Sequence, residues 1–273
     1  MNPELLLAFE QIEAQFWRAR MTAVPEEQRR QLGMRVVHLD AATLALTGKY
    51  GEAGILNQTT DLGLRRPATD ADIGALRAAL SEYDVASMMV GLHPLAEPAD
   101  LSALLTAHGA TFMMNFLIMG RAAAPMPEPS GAVQVQEVGP EAADALITIM
   151  MPSHGLPEDL DPMFRHTIGQ PNWHYYLATL DGEPVAGGAL FVQGEVALLA
   201  SGATLEPYRK LGAQSALIHR RVQDAAALGI KHVCTLVVES TPEQPNPSEH
   251  NMRRAGFEVA YRHPGYRLDR LLT

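Results

Sequence analysis

Cysteine is almost absent from this chain: Cys234 is the only one among 273 residues. A single cysteine excludes an intrachain disulfide framework. The ten histidines form no HxH or HExxH pattern and no cluster with the cysteine, so the sequence predicts no metal site. The N-terminus also lacks a signal-peptide pattern, because acidic residues interrupt its short apolar run. These features favour a reduced, cytoplasmic compartment.

Long apolar runs and basic runs are missing as well. No stretch approaches the roughly 20 residues that a membrane-spanning helix needs. The formal net charge is −10, and neither half of the chain is basic, whereas nucleic-acid binders present a Lys/Arg-rich face. We therefore expect neither a membrane nor a nucleic acid as partner. Solubility is the preferred explanation of the acidity, and attraction of a cationic small molecule is the alternative.

The composition is that of a folded chain that divides in two. Apolar residues make up 47% and charged residues 19%, which supports a packed core. Residues 122–131, AAAPMPEPSG, combine three prolines, a serine and a glycine without periodicity and are typical of a linker. The expected domains are residues 1–125 and 132–273.

The second segment alternates strand and helix patterns. Asp181-Gly182 predicts the turn of a hairpin, and Gly229 and Gly256 are suitable helix ends. The predicted strands are 133–139, 174–180, 184–193, 195–204, 231–240 and 258–268, and the predicted helices are 141–151, the stretch ending near 229, and 247–257.

The first segment repeats the later part of this order more faintly. Its predicted helices are 3–20, 68–83 and 98–109, and its predicted strands are 34–40, 42–48, 54–60, 86–94 and 111–121.

The chemically informative stretch is Tyr208–Leu217, YRKLGAQSAL. A strand enters it, an amphipathic helix leaves it, and Gly212 lies where the chain must turn. The first amide groups of a helix lack internal partners and, together with the helix dipole, form an anion site. Arg209 and Lys210 add positive charge beside that site. The amides expected to cradle a pyrophosphate are those of Gly212, Ala213, Gln214 and Ser215.

This stretch resembles the acyl-CoA-binding motif R/Q-x-x-G-x-G/A of the GNAT superfamily of N-acetyltransferases. Arg209 takes the first position, Gly212 the central one and Gln214 the last, where Gly or Ala is commoner. The resemblance covers residues 132–273 and implies an α/β fold with a mixed α+β sheet and acetyl-CoA as acyl donor. The cofactor-binding residues that it implies are Thr204, Leu205, Arg209, Lys210, Leu211, Gly212, Ala213, Gln214, Ser215 and Asn246.

A second family motif, S/A-x-x-x-Y-x-x-x-G-F, is matched by Ser248, Gly256 and Phe257. The family tyrosine, a general acid for the leaving thiolate, is replaced here by Met252, which has no proton to donate. Ser248 and Asn251 share a helix face and are the candidates for that role, with a cap or a cofactor contact as the alternative for Ser248. His250 is a further candidate, with a solvated side chain as its alternative.

Glu239, at the end of the strand that follows the cofactor helix, is the candidate general base. A surface glutamate at a strand end is the alternative. Cys234 is interpreted as a buried core thiol rather than a nucleophile. In GNAT proteins, the region between the first helix and the hairpin shapes the acceptor site. The residues of this chain in that region, candidates to line the site, are His154, His166, Trp173, Tyr175 and Tyr176. A surface or packing role is the alternative for each of them.

The first segment resembles a degenerate GNAT unit. Residues 61–73, DLGLRRPATDADI, lack the glycine motif, so we expect this unit not to bind CoA in the usual way. It is expected to pack as a companion domain, to close the acceptor cleft, or to form a homodimer contact.

The sequence thus predicts an N-acetyltransferase that acts on a primary amine of a small molecule or peptide by direct attack in a ternary complex. Two alternatives stay open. One is an inactive acyl-CoA sensor or interaction module. The other is a single transferase site shared by both halves.

Overall fold

A computed structural model describes residues 2–52 and 56–270. The elements before the proline-rich stretch are α1 (Pro3–Ala23), α2 (Glu26–Leu32), β1 (Met34–His38), β2 (Thr43–Thr47), β3 (Gln58–Thr60), α3 (Asp70–Glu82), β4 (Ser87–Gly91), α4 (Leu101–Ala107) and β5 (Thr111–Ala122). After it follow β6 (Gln134–Val138), α5 (Ala143–Ser153), α6 (Pro162–Arg165), β7 (Trp173–Leu180), β8 (Glu183–Gln193), β9 (Val196–Thr204), α7 (Ala213–Ala227), β10 (His232–Val238), α8 (Pro247–Arg254) and β11 (Glu258–Asp269).

The predicted helices and strands are present, with shifted ends. The strand predicted over 54–60 is described from Gln58 onward, and residues 54 and 55 lie outside the described residues. Helix α2 was not predicted, because EEQRRQL has no apolar periodicity and buries only Leu32. Good helix formers and the pairing of Arg30 with Glu26 and Glu27, at 3.2 and 2.7 Å, account for it instead.

The chain forms two compact units. One comprises the residues up to Leu117 together with those from Ala260 onward, and the other comprises Ile118–Val259. The structure therefore draws the division elsewhere than the predicted 1–125 and 132–273. The reason lies in two strands, because β5 and β11 each run from one unit into the other.

In the first unit the strand order is β1-β2-β3-β4-β11, with β5 beside β11. Strands β1, β2 and β3 pair antiparallel, and β3 pairs parallel with β4. A parallel pair needs a crossover connection, which α3 supplies. Helix α3 contributes Ile73, Leu76 and Leu80 to a core in which each is at most 1% exposed.

In the second unit the strand order is β10-β9-β8-β7-β6, with β5 beside β10. Strands β6 to β9 pair antiparallel, and β9 pairs parallel with β10 across α7. A Cβ atom on Gly187 would meet Leu146 of α5, and one on Gly188 would meet Arg221 of α7. Successive strand residues point to opposite faces, so α5 and α7 cover opposite faces of β8. This arrangement places the start of α7 at the end of β9.

Candidate functional site

The loop from β9 to α7 is a tight turn with an unusual backbone. Leu205 N–H donates to Val185 O at 3.0 Å, which holds the end of β9 on β8. Lys210 and Gly212 then adopt φ angles of +66° and +93°. Residues other than glycine adopt this left-handed region rarely, and such positions cluster at ligand sites.

The N-terminus of α7 is open and carries no cap. Its first described helical bond runs from Ala216 N–H to Gly212 O, at 3.0 Å, and no side chain caps the helix. The amides of Ala213, Gln214 and Ser215 precede that bond. A Cβ atom on Gly212 would meet nothing within 4 Å, so space is available beside these amides. The first turn of α7 contains no acidic residue, and Arg209 and Lys210 are exposed next to it. These features fit an anion such as a pyrophosphate.

The side chain of Gln214 joins this helix to the preceding strand. Its Nε2 donates to Thr204 Oγ1 at 2.8 Å, and Thr204 is buried. The commoner Gly or Ala has no side-chain donor to make this bond. The glutamine at the last motif position therefore fixes the first turn of α7 against the end of β9.

The described pairing of strands β9 and β10 ends before either strand does. Their parallel pairing runs from Val196–His232 to Leu198–Cys234. One residue later, Thr235 Oγ1 donates to Leu199 O at 2.9 Å. The strands then continue to Thr204 and Val238 beyond the described ladder. The second half of β9 thus lies beyond the described pairing with β10, while its other edge remains paired with β8.

That half of β9 contains a β-bulge. Gly187 pairs with Ala203, and Ala189 pairs with Ala200. Two residue steps on β8 therefore correspond to three steps on β9, so β9 contains one extra residue. Ser201 has a φ of +53° and Gly202 is exposed. A bulge interrupts the ladder locally and redirects backbone groups, so Ser201 and Gly202 are the irregular part of the strand.

The remaining candidates lie on the loop and helix after β10. Asn246, an implied cofactor residue, uses its side chain within the loop: Oδ1 accepts from Ser248 N–H at 2.9 Å, and Nδ2 donates to Val238 O at 2.6 Å. Ser248 is exposed, and Asn251 and Glu239 are half-buried. These residues follow a different strand from the Arg209–Ser215 turn, and α8 contacts both α7 and β10.

Glu249 was missed by the sequence reasoning. Its carboxylate accepts from Ser240 N–H at 2.7 Å and from Arg253 Nε at 2.8 Å. Burial alone would raise the pKa of this carboxyl, but these bonds outweigh burial and lower the pKa. Glu249 therefore anchors the loop as an ionised group. A glutamate four residues before an arginine was the available signal, but the pair is equally typical of an exposed helix face.

Several residues that the sequence singles out are buried. Trp173, Tyr175 and Tyr176 are at most 6% exposed, so these three side chains pack in the core, which was the alternative to lining the acceptor site. All three lie on β7, an interior strand between β6 and β8, and this position explains why their side chains are buried. Cys234 is 1% exposed and Met252 is 8% exposed, as a core thiol and a packing side chain are.

In the first unit the corresponding helix start is already capped. At α3, Thr69 and Asp72 form a capping box, and the Asp72 carboxylate accepts from Thr69 N–H at 2.8 Å. Arg66 donates to the same carboxylate at 2.6 and 2.8 Å. A carboxylate of the chain itself therefore takes the place that an anionic ligand takes at an open helix start.

The described residues contain neither a metal-ligand cluster nor a membrane-spanning helix. Over residues 2–52 and 56–270, no group of three or more His, Cys, Asp or Glu side chains is arranged to hold a metal ion. Within the same ranges no helix combines the length and the apolar character that crossing a bilayer requires.

Comparison with known proteins gives one family and many solved structures. A family model described as "Acetyltransferase (GNAT) domain" matches residues 75–241, more than half of the chain. No curated protein matches. A solved GCN5-related N-acetyltransferase from Kribbella flavida is 21% identical, with a TM-score of 0.60, covering 88% of this chain and 92% of that one.

Two other solved structures are similar over most of their length. A GCN5-related N-acetyltransferase from Sphaerobacter thermophilus is 16% identical, with a TM-score of 0.62, covering 85% of this chain and 78% of that one. A tandem GNAT protein from the clavulanic acid biosynthesis pathway is 14% identical, with a TM-score of 0.62, covering 85% and 79%. These likenesses confirm the predicted mixed α/β fold.

Proposed function

Because the chain belongs to the acetyltransferase (GNAT) family, we propose that it transfers an acetyl group from acetyl-CoA to a primary amine of a small-molecule or peptide acceptor. The observation that carries this proposal is the N-terminus of α7, which is uncapped, open and flanked by Arg209 and Lys210. The start of α3 in the first unit carries its own carboxylate cap instead. We therefore assign the acyl-CoA site to the second unit.

The residues of the turn hold the donor in this proposal. The amides of Ala213, Gln214 and Ser215 receive the pyrophosphate, and the second half of β9, beyond its described pairing with β10, offers backbone groups to the pantetheine arm. The other members of the proposed set are Thr204, Leu205, Arg209, Lys210, Leu211 and Gly212. Asn246 contributes indirectly, because its side-chain amide is engaged within the loop.

Catalysis in this proposal depends first on orientation in a ternary complex, since positioning alone supplies a large share of the barrier reduction. The bound thioester supplies an activated acyl group: the amine nitrogen takes it, the C–S bond breaks, and a proton passes from nitrogen to water or a base and onto sulfur. Glu239 accepts the proton from the amine. Ser248 and Asn251 donate hydrogen bonds to the sulfur of the leaving CoA thiolate.

The exposed bulge of β9 has a role of its own. We assign Ser201–Gly202 as the part of the strand that faces the thioester carbonyl oxygen, because redirected backbone N–H groups are suited to a position where negative charge develops.

A second function, an acyl-CoA sensor without turnover, is favoured by two observations. Met252, where the family has a proton-donating tyrosine, is buried, and the Asn246 amide is committed to the loop. A chain with these features binds the donor and lacks a strong acid for the leaving group. Turnover, rather than binding, separates the two functions.

Calorimetric titration of acetyl-CoA into wild type and Gly212→Trp tests the site. The indole would fill the open space at the helix start, so binding should fall at least about 100-fold in a folded variant, a loss of about 2.7 kcal/mol. Gly229→Trp is the matched control, because Gly229 also has a positive φ and open surroundings and lies at the other end of α7, roughly 22 Å away.

Failure of the folded wild type to bind acetyl-CoA would contradict both functions. If binding is confirmed, release of free CoA over a panel of primary amines distinguishes the transferase from the sensor.

A further inference from the structure

Arg221, on α7, is an almost fully buried cation. Its side chain is 1% exposed, and burial lowers the pKa of the guanidinium to about 10, so it stays protonated at neutral pH. In the described part of the chain no carboxylate forms an ion pair with it. A buried charge without a counter-ion is unfavourable unless hydrogen bonds replace its water. The hydrogen-bond partners of Arg221 therefore indicate the role of this buried charge.

Two of those partners are backbone carbonyls that border the bulge of β9. Nη1 donates to Ala189 O at 3.1 Å and to Ala200 O at 3.3 Å. Ala189 and Ala200 are paired across β8 and β9 at the point where the register shifts. Nε donates to Leu217 O at 3.0 Å, which ties the guanidinium to its own helix.

The bond to Ala200 fixes the first peptide of the bulge. In a trans peptide, the carbonyl and the following N–H point in opposite directions. Holding Ala200 O on Arg221 therefore sets the direction of Ser201 N–H away from the guanidinium. At the other end of the bulge, Thr204 is held by Gln214, seven residues before Arg221 on the same helix face. One helix thus fixes the bulge from both sides.

Two glycines make room for this arrangement. A Cβ atom on Gly188 would lie 2.9 Å from Arg221 Nη1, and one on Gly202 would lie 3.3 Å from Gln214 Oε1 and 3.7 Å from Arg221 Nη2. A methyl group on Gly188 would therefore displace the guanidinium without removing its charge. Nη2 has no hydrogen-bond partner in the described structure. The guanidinium thus binds the carbonyls of Ala189 and Ala200 although its own hydrogen-bonding capacity is not fully used.

We propose that Arg221 is a positioning residue for acyl transfer, which holds the bulge of β9 so that its backbone meets the thioester carbonyl. This inference rests on the proposed function, because it needs acetyl-CoA at β9. In this proposal Arg221, a buried residue outside the binding turn, controls the geometry of the acyl group. The start of α7 determines the affinity for the donor.

The test uses the full chain with [1-¹³C]acetyl-CoA in isotope-edited infrared difference spectra. A thioester carbonyl that accepts a strong, aligned hydrogen bond absorbs at a lower frequency than one that is solvated by water. We expect that downshift in wild type, and its loss in Arg221→Met and Gly188→Ala, with acetyl-CoA affinity within about threefold of wild type. Release of free CoA with the best acceptor of the amine panel, corrected for the reaction without protein, should fall about 100-fold in kcat, as for a misplacement of about 1 Å.

Arg220→Met is the matched control. Arg220 is the neighbouring residue on α7, is half-exposed and pairs with Asp224 at 2.9 Å. It should keep the wild-type frequency and kcat. If Arg221→Met does not fold, Gly188→Ala decides the question, because it retains the arginine.

Three results would overturn the inference. Folded variants that bind acetyl-CoA with an unchanged carbonyl frequency and kcat would make Arg221 a purely structural residue. Folded variants that lose acetyl-CoA binding would make it a binding residue. Wild type that binds no acetyl-CoA would instead remove the proposed function itself, which a titration without any variant reveals.

Discussion

Glu13, on α1, is a carboxyl group that folding removes from water. It is 7% exposed, and its Oε2 has no hydrogen-bond partner in the described structure. Burial raises its pKa from 4.5 to about 8, and the nearby Glu10 carboxylate acts in the same direction. Glu10 is itself buried and accepts from Tyr261 O–H at 3.0 Å. Glu13 therefore holds a proton at neutral pH.

This shift predicts a pH-dependent stability. Between pH 4.5 and about 8 the unfolded chain loses the Glu13 proton while the folded chain keeps it, so the free energy of unfolding falls as pH rises, by up to about 1.4 kcal/mol per pH unit. Glu13→Gln removes this contribution. Urea unfolding at pH 5 and pH 8 should show the variant gaining up to about 3 kcal/mol relative to wild type over that interval.

Glu4→Gln is the control for this measurement, because Glu4 is an exposed glutamate on the same helix. It should leave the pH dependence unchanged. Equal slopes for Glu13→Gln and wild type would show that Glu13 is ionised in the folded chain.

At the scale of single residues the sequence predicted the positions of turns better than it predicted which polar side chains are buried. Gly212 was placed correctly at a turn, because only glycine adopts its φ of +93° readily. Arg221 was not singled out, because an arginine inside a helix usually lies on the solvated face. Its signal was indirect: Gly188 and Gly202 lie on neighbouring strands and leave space that only a long side chain fills.

At the scale of elements the two units use the same kind of helix start in opposite ways. Helix α7 leaves its first amides without a cap, whereas α3 satisfies its start through Thr69 and Asp72. Arg66 holds the pKa of the Asp72 carboxyl below its usual range, so the cap is charged at neutral pH. The sequence showed one part of this contrast, the glycine motif in one loop and its absence from the other. The carboxylate cap of α3 was not predicted.

Asp72→Ala should therefore destabilise the first unit. The change removes the cap and leaves Arg66 without its carboxylate, and loss of a helix cap costs about 1–2 kcal/mol. Asp100→Ala is the matched control: Asp100 is at the N-cap of α4 but makes no cap hydrogen bond, so a change below about 0.5 kcal/mol is expected. Urea unfolding measures both, and equal losses would contradict a specific role for the capping box.

At the scale of the whole chain the strand pattern predicted the elements but not the sheet partner of each strand. The alternation in β5 and β11 indicates strands, yet it contains no information on which neighbour each will pair with. In the structure β11 pairs with β4, from Gly265–Gly91 to Asp269–Ser87, whereas the end of β5, from Ile118, belongs to the second unit, Ile118–Val259. The proline-rich stretch predicted as a linker thus follows the point where the chain changes unit.

This connectivity predicts how fragments of the second unit behave. Residues 118–125 include Ile118 and Met119, which are at most 2% exposed, and Ala123 N–H donates to Lys231 O at 2.9 Å. The fragment 126–259 lacks them, so one edge of β10 is left uncovered, and uncovered edges favour aggregation. The fragment 118–259 should be the more soluble of the two, melt at a higher temperature and bind acetyl-CoA more tightly.

The two fragments differ only in the eight residues that include the end of β5, so composition elsewhere cannot account for a difference between them. Thermal melting by circular dichroism and titration with acetyl-CoA measure the effect, with the full chain as reference. Equal stability of 118–259 and 126–259 would show that β10 does not need the strand beside it. In that case residues 126–259 would suffice for the acyl-CoA site, and the predicted linker would mark the functional boundary after all.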